Sequence, residues 1–346
     1  MGLQNCTVAV VGATGAVGRE ALGILEQRGV PAARVRCFAS ARSAGVTLPY
    51  AGSSVRVSEI GEGVWKGVDV AVFCATSGVS KQFGPGAVRA GTWVVDNSSA
   101  FRMDPATPLV VPEVNPEALR DREGPALIAN PNCSTIIMLM GLNPLRVRFG
   151  VEGVVVSTYQ AVSGAGAAAM DELSRLAADA LAGRAGEPKV FIEPCAFNVF
   201  SHNSAVDPAN GLNVEESKLI HETHKIWNDR NVRITPTCIR VPVYRAHSES
   251  CAVTLRNPAS ETEVRAAFDG APGVSIIDDR AGNVFPTPLK AAGGDDVLIG
   301  RIRPDPAHTL DDSGRSRHWC LWICGDQLRK GAAQNAIQIA EMVWRN

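Results

Sequence analysis

The sequence lacks the features that would commit it to a membrane, a nucleic acid or a metal. No apolar run approaches the roughly 20 residues that cross a bilayer. The stretch Met1 to Val11 has neither the basic region nor the long apolar core of a signal peptide. Neither sign of charge is in excess: 34 Lys and Arg stand against 35 Asp and Glu, for a formal net charge of -1. With the signs interspersed, the chain offers no field for a phosphate backbone or an anionic lipid surface. The nine cysteines are Cys6, Cys37, Cys74, Cys133, Cys195, Cys238, Cys251, Cys320 and Cys324. An odd count without CxxC spacing argues against a disulfide framework and a zinc site, and for a reducing cytoplasm. Aromatics make up only 5%, and no internal repeat, low-complexity tract or long linker is visible. What remains is 346 residues, 45% hydrophobic, with 33 glycines. That length favours two domains and that composition an α/β protein.

The most informative stretch is Asn130-Pro131-Asn132-Cys133-Ser134-Thr135, ahead of the apolar run Ile136 to Leu145. Pro131 does not fit a helix interior, and Ser134 and Thr135 can act as caps. Cys133 is therefore expected at a helix N-terminus, where the helix dipole favours a nucleophilic thiolate. A free Cys is more often a buried apolar residue; the polar, Asn-flanked setting argues for chemistry instead.

The chain opens with a short β-rich run, Thr7 to Val11, that ends in Gly12-Ala13-Thr14-Gly15-Ala16-Val17-Gly18 and continues as a helix to about Arg28. Strand, glycine loop and helix together point to a dinucleotide site rather than a plain glycine turn, because glycines allow the backbone to approach a pyrophosphate held at the helix N-terminus. After the second strand, Val35 to Ala39, an NAD site would carry an acidic residue for the ribose hydroxyl. Ser40, Arg42 and Ser43 stand there instead and suit a 2'-phosphate, so NADP is expected. Further strands are expected at 68–73, 93–95 and 126–129, with a helix at 79–90, and the loop Asp96 to Arg102 sits where an open sheet presents ligand groups.

From Gly153 the pattern changes. Strands are expected at 154–160, 234–240, 251–255, 275–277, 297–302 and 319–323, with helices at 167–182, 214–227, 261–268 and 328–345, while 188–208 reads as irregular. The expectation is an α/β protein with an N-terminal Rossmann-like domain (1–132 with 325–346) and an α+β catalytic and dimerisation domain (133–324) built on a mixed, largely antiparallel sheet. The Ala-rich helix at 167–182 could cover a sheet. Alone, Gln160 at a strand end, His247 in a polar loop and the Glu215–Lys218 helical pair carry little weight; such a pair, exposed, contributes roughly 0.3 kcal/mol.

Taken in order, these motifs resemble aspartate-β-semialdehyde dehydrogenase. The resemblance rests on the glycine loop, Asp96 to Arg102, Asn130 to Thr135, Thr158 to Gly166, Glu215 to Lys218 and Arg240 to His247. It implies NADP-dependent, reversible conversion of 4-phospho-L-aspartate to L-aspartate 4-semialdehyde and phosphate, on the route to lysine, diaminopimelate, threonine and methionine. Cys133 would attack the acyl phosphate to give a thioester, which hydride from NADPH then reduces. His247 would be the acid/base group, Gln160 would orient the reacting group and Asn132 would stabilise the oxyanion. Arg240 would hold the substrate carboxylate, Glu215 its ammonium, and Arg102 with Lys218 the phosphate. Gly12, Ala13, Thr14, Gly15, Ala16, Val17, Ser40, Arg42, Ser43, Ser163 and Gly164 would bind the cofactor; no metal is expected. The resemblance also implies a cytoplasmic homodimer whose last helix folds back onto the nucleotide domain, with no nucleic-acid or membrane partner. The rivals are N-acetyl-glutamyl-phosphate reductase, glyceraldehyde-3-phosphate dehydrogenase, which the missing acidic residue disfavours, and a catalytically silent nucleotide-binding paralogue.

Overall fold

A computed structural model describes residues 2–120 and 122–345. The chain divides into two compact units, Met1–Asn132 with Gly331–Asn346, and Cys133–Lys330.

The first unit begins with β1 (Val8–Val11), α1 (Ala16–Gln27) and β2 (Val35–Ala39), followed by β3 (Thr47–Tyr50), β4 (Ser53–Glu59), β5 (Val70–Phe73), α2 (Ser77–Arg89), β6 (Trp93–Asp96) and β7 (Leu127–Ala129). Its sheet runs β3-β4-β2-β1-β5-β6-β7, with every pair parallel except β3 with β4. Strand order reverses at β1, which has β2 on one side and β5 on the other. The carboxyl end of β1 is therefore the topological switch point, and the glycine loop starts there. All four residues of β1 are buried. Val8 and Val10 join Leu22 and Leu25 of α1 on one face, and Ala9 and Val11 join Trp65 and Phe73 on the other. Burial on both faces explains why these strands read as continuous apolar runs. The β3–β4 hairpin was not expected from the sequence: Pro49 and a run of serines hide it. Its turn, Ala51-Gly52, has φ of +47° and +69°, as a two-residue hairpin loop requires.

The second unit contains α3 (Cys133–Phe149), β8 (Val151–Gln160), α4 (Ala167–Leu181), β9 (Phe200–Ser201), α5 (Val214–Ile226), β10 (Arg233–Arg240), β11 (His247–Ala259), α6 (Glu261–Ala266), β12 (Val274–Ile276), α7 (Pro288–Ala291), β13 (Val297–Pro304) and β14 (Ser316–Gly325). The sheet order is β12-β13-β14-β11-β8-β10-β9. Pairs β8–β10 and β12–β13 are parallel and the others antiparallel, giving a mixed sheet. Helix α3 packs on β8, β11, β13 and β14 and against α5, so residues 134–142 are buried on every side of the helix, while Val147 and Arg148 near its end are exposed. At Gly141 an added Cβ would lie 2.5 Å from the Ile323 side chain, which fixes how closely helix and sheet approach.

Three expectations need correction. Helix α4 packs on Val162, Phe191 and Cys195, rather than over a sheet. His247 is not in a loop; it opens β11. Through a π-helical turn at Arg329–Ala333, the chain reaches α8 (Gln334–Arg345). It rejoins the first unit at Gly331 rather than at residue 325. Ile337, Ile339, Ala340 and Val343 of α8 complete the core face formed by Val8, Val10 and α1. Asn335 donates to Val110 O (2.9 Å) and Asn130 Oδ1 (2.7 Å), fixing the turn after β7.

Candidate active site

In the second unit, parallel pairing aligns Gln160, the last residue of β8, with Arg240, the last of β10. Antiparallel β11 starts beside them, with Ser248 opposite Tyr159. Gln160, Arg240 and His247 thus gather at one end of the sheet, all buried. Cys133, the first residue of α3, brings its Sγ to 3.5 Å from His247 Nε2. Gly164 bounds the same space: a Cβ there would lie 3.3 Å from His247 Cε1 and Nε2 and 3.7 Å from Arg240 Nη1.

The imidazole of His247 has a defined tautomer. The Ala161 N–H donates to Nδ1 at 3.0 Å, so the neutral ring carries its proton on Nε2, the nitrogen facing the sulfur. Burial first, and the Arg240 charge second, push the ring down to about 3, so it is neutral near pH 7. His247 therefore offers the sulfur a hydrogen bond rather than a basic lone pair.

Gln160 is similarly fixed. Its Oε1 accepts from Thr158 Oγ1 (3.1 Å), and its Nε2 donates to Glu215 Oε1 (3.2 Å). The other Glu215 oxygen accepts from Lys218 Nζ at 3.0 Å. Glu215 is only 4% exposed, so this helical pair is not the solvated surface pair expected from spacing alone. A capping box positions the carboxylate: Asn213 Oδ1 accepts from Glu216 N, and Glu216 Oε2 accepts from Asn213 N. The remaining Glu216 oxygen accepts from Cys238 N in β10 (2.9 Å), tying the start of α5 to the strand that ends in Arg240.

Arg240 is 2% exposed, and among the described residues it has no carboxylate partner. Its Nη1 donates to Gln160 O and Ala161 O, its Nη2 to His202 Nε2 and Asn203 Oδ1, and the Phe191 ring lies 5.3 Å from its Cζ. Glu172 of α4 places that ring by accepting from the backbone N–H groups of Lys189, Val190 and Phe191. His202, Asn203 and Phe191 lie in a segment whose irregular sequence gave no sign of a site. Ser163 is buried and accepts from Gln327 Nε2, while Gln327 Oε1 accepts from Ala246 N; this bracket was also absent from the sequence reading.

In the first unit, Arg102 is 7% exposed and donates from Nη2 to Asn97 O at 2.7 Å. Asn132, also buried, immediately precedes Cys133. The glycine loop fits a dinucleotide pyrophosphate. Gly12 has φ +80°, and a Cβ on it would lie 2.3 Å from Cys74 O; one on Gly18 would lie 2.2 Å from Gly12 O. Gly15 caps α1 without a side chain, so the first-turn N–H groups of Ala16 and Val17 have no cap in the way of an anion. Ala13 and Thr14 complete the turn between them. Ser40, Arg42 and Ser43 follow β2 in a short 3-10 turn, with Ser40 and Arg42 exposed and Ser43 half-buried.

Family models agree with this division. The model described as semialdehyde dehydrogenase, NAD binding domain, matches residues 7–122, and that described as semialdehyde dehydrogenase, dimerisation domain, matches residues 142–330. Aspartate-semialdehyde dehydrogenase of Synechocystis is 45% identical over 97% of this chain and 96% of its own. The chain belongs to the aspartate-semialdehyde dehydrogenase family. The Aquifex aeolicus member is 44% identical, covering 97% of both chains. Among solved structures, aspartate-semialdehyde dehydrogenase II of Vibrio cholerae, complexed with ASA, superposes with a TM-score of 0.91 at 41% identity, covering 99% of this chain and 98% of that one.

Proposed function

We propose that the chain catalyses NADP-dependent, reversible reductive dephosphorylation of 4-phospho-L-aspartate to L-aspartate 4-semialdehyde. Cys133 is the nucleophile. The observation that carries this reading is the pairing of Cys133 Sγ, at the N-terminus of α3, with the Nε2–H of His247. The cofactor is held by Gly12 to Val17, with Ser40, Arg42 and Ser43 at the 2'-phosphate and Ser163 and Gly164 contributing backbone; when bound, it supplies the hydride that the reducing direction requires.

The protein's own groups do the rest. Cys133, as the thiolate that the N-terminus of α3 favours, adds to the acyl carbon and expels phosphate, leaving a thioester, and is regenerated as the thiolate when the reduced adduct collapses, so one displacement becomes two easier steps. Asn132 and the His247 Nε2–H stabilise the oxyanion that forms at each addition. Gln160 holds the reacting carbonyl, its amide locked between Thr158 and Glu215. Arg240, a buried cation lacking a carboxylate, takes the α-carboxylate, and Glu215 the α-ammonium. Arg102 and Lys218 supply positive charge for the phosphate. Proton accounting supports His247 as a donor that stays neutral. Thioester reduction and collapse consume no proton overall, and the single proton in the balance goes to the departing phosphate. Imidazolium formation would turn an Nδ1–H against the Ala161 N–H, which favours this neutral role over the acid/base role that the resemblance implies.

A homodimer built on the second unit, and a cytoplasmic location, belong to the same proposal. The match to a dimerisation domain supports the first, and the scattered cysteines, all unpaired in the structure, support the second. The decisive assay is phosphate-dependent NADP reduction by L-aspartate 4-semialdehyde. We expect activity in the wild type and a loss of several orders of magnitude in Cys133→Ser. A wild type that binds NADP but stays silent, or that turns over only the N-acetyl-glutamyl substrate, would sink the proposal.

A further inference from the structure

The hydrogen bonds around Arg240 leave its carboxylate-binding role incomplete. Nη1 donates to Gln160 O (3.3 Å) and Ala161 O (2.6 Å), and Nη2 to His202 Nε2 (2.9 Å) and Asn203 Oδ1 (3.1 Å). Four acceptors match the four N–H bonds of the two Nη atoms. Only the buried Nε–H has no partner. A bidentate carboxylate needs two parallel N–H groups on one edge of the guanidinium. A carboxylate can engage Arg240 in that way only if one of the present acceptors leaves.

The four acceptors are not equally free to leave. Gln160 O and Ala161 O are backbone atoms at the end of a central strand. His202 is held on three sides: its N–H donates to Cys238 O (2.8 Å), its Nε2 accepts from Arg240, and its Nδ1 is 3.1 Å from Ser204 Oγ. Because arginine only donates, Nε2 of His202 must be the acceptor, and Nδ1–H then donates to Ser204. Ser204 Oγ in turn accepts from Glu215 N (3.2 Å), so this turn links Arg240 to Glu215. Asn203 is different: the hydrogen bond from Arg240 is the one its side chain makes, and it contributes a neutral amide oxygen where an anion would do better.

We infer that Asn203 is a placeholder for the substrate carboxylate on Arg240, and that His202 is the positioning residue that keeps the guanidinium aimed when Asn203 leaves. Substrate selection then includes an exchange: an α-carboxylate replaces the Asn203 amide oxygen, while an uncharged group gains too little from Arg240 to displace it. Retaining the His202–Ser204 bridge keeps Glu215 in place for the α-ammonium during the exchange. This inference rests on the reading of Arg240 as the carboxylate site.

The test uses the full-length enzyme and steady-state kinetics with L-aspartate 4-semialdehyde. Asn203→Asp places a carboxylate on Arg240 within the chain itself and should raise KM tenfold or more, with a much smaller change in kcat. Asn203→Ala removes the competitor and should lower KM or hold it at the wild-type value. His202→Leu should raise KM, and His202→Gln, whose amide oxygen can occupy the Nε2 position, should recover most of the loss. Equal KM increases for Asn203→Ala and Asn203→Asp would reduce Asn203 to a structural residue and overturn the inference, as would a wild-type KM in Asn203→Asp. Arg240→Met separates the two levels. If its KM rises at least a hundredfold while the Asn203 variants behave alike, only the placeholder fails; if its KM does not move, the reading of Arg240 fails first.

Discussion

At the scale of single residues, the site works by restricting each group to one chemical form. His247 is neutral with its proton on Nε2, and Gln160 has its oxygen turned to Thr158 and its nitrogen to Glu215. Gly164 leaves the space beside His247 and Arg240 open. Its φ is not in the left-handed region, so Gly164→Ala introduces no backbone strain, yet the new methyl would lie 3.3 Å from His247 Nε2. We expect kcat/KM to fall at least tenfold while the melting temperature changes by no more than about 2 °C, on the order of a surface substitution. Differential scanning calorimetry beside initial rates checks this; normal rates would mean that no reacting group occupies the space over Gly164. Glu249, two positions beyond His247 in β11, is fully buried with neither carboxylate oxygen hydrogen-bonded, and burial raises it well above its ordinary value. Burial thus favours its neutral acid form within the fold.

At the scale of elements, function depends on how strands and helices end. The capping box of α5 both starts that helix and sets Glu215, so Asn213→Ala should cost about 1 kcal/mol in stability and also raise the KM for the semialdehyde. Urea denaturation and kinetics on the same preparation test the pair; a stability loss with unchanged KM would uncouple the cap from the site. Much of this was legible beforehand because local rules and tertiary packing agree. The β1–loop–α1 unit shows glycines where a positive φ and a close contact require them, and Pro131 does stand just outside the helix that Cys133 begins. Legibility failed where packing overrode pattern. His247, Ser248 and Glu249 read as a polar loop, yet all three are buried in a strand. His202 and Asn203 could not be found from sequence, since their importance comes from the antiparallel pairing of β9 with the end of β10. The Glu215–Lys218 pair was underrated because spacing reveals a shared helix face but not whether that face is buried.

At the scale of the whole molecule, buried titratable groups set the response to acid. His247 is pushed down to about 3 and His202 to about 4, both mainly by burial, from an ordinary value of 6.5. Between these values and 6.5 the unfolded chain binds more protons than the folded one, so stability falls as pH drops through that window, by up to about 1.4 kcal/mol per pH unit for each ring. Glu249 acts in the opposite direction: its contribution is present below 4.5 and is lost as pH rises toward its raised folded value. Equilibrium unfolding at pH 7, 6 and 5 should therefore show a steeper acid loss in wild type than in His247→Asn. Matching slopes would show that His247 is not buried in its neutral form. One feature of the architecture also bears on how the protein is made. Residues 133–330 form a continuous unit, whereas the unit around the glycine loop draws its last helix, α8, from the C-terminal end. Domains generally fold as they leave the ribosome, but this N-terminal unit cannot bury Val8, Val10 and Leu25 against α8 until the whole second unit and α8 itself have been made. The part made first is finished last. A nascent chain stalled before α8 would thus hold an assembled Cys133–His247 pair while the apolar sheet face that α8 covers is still bare, making the interval before α8 emerges the one in which a chaperone is most needed.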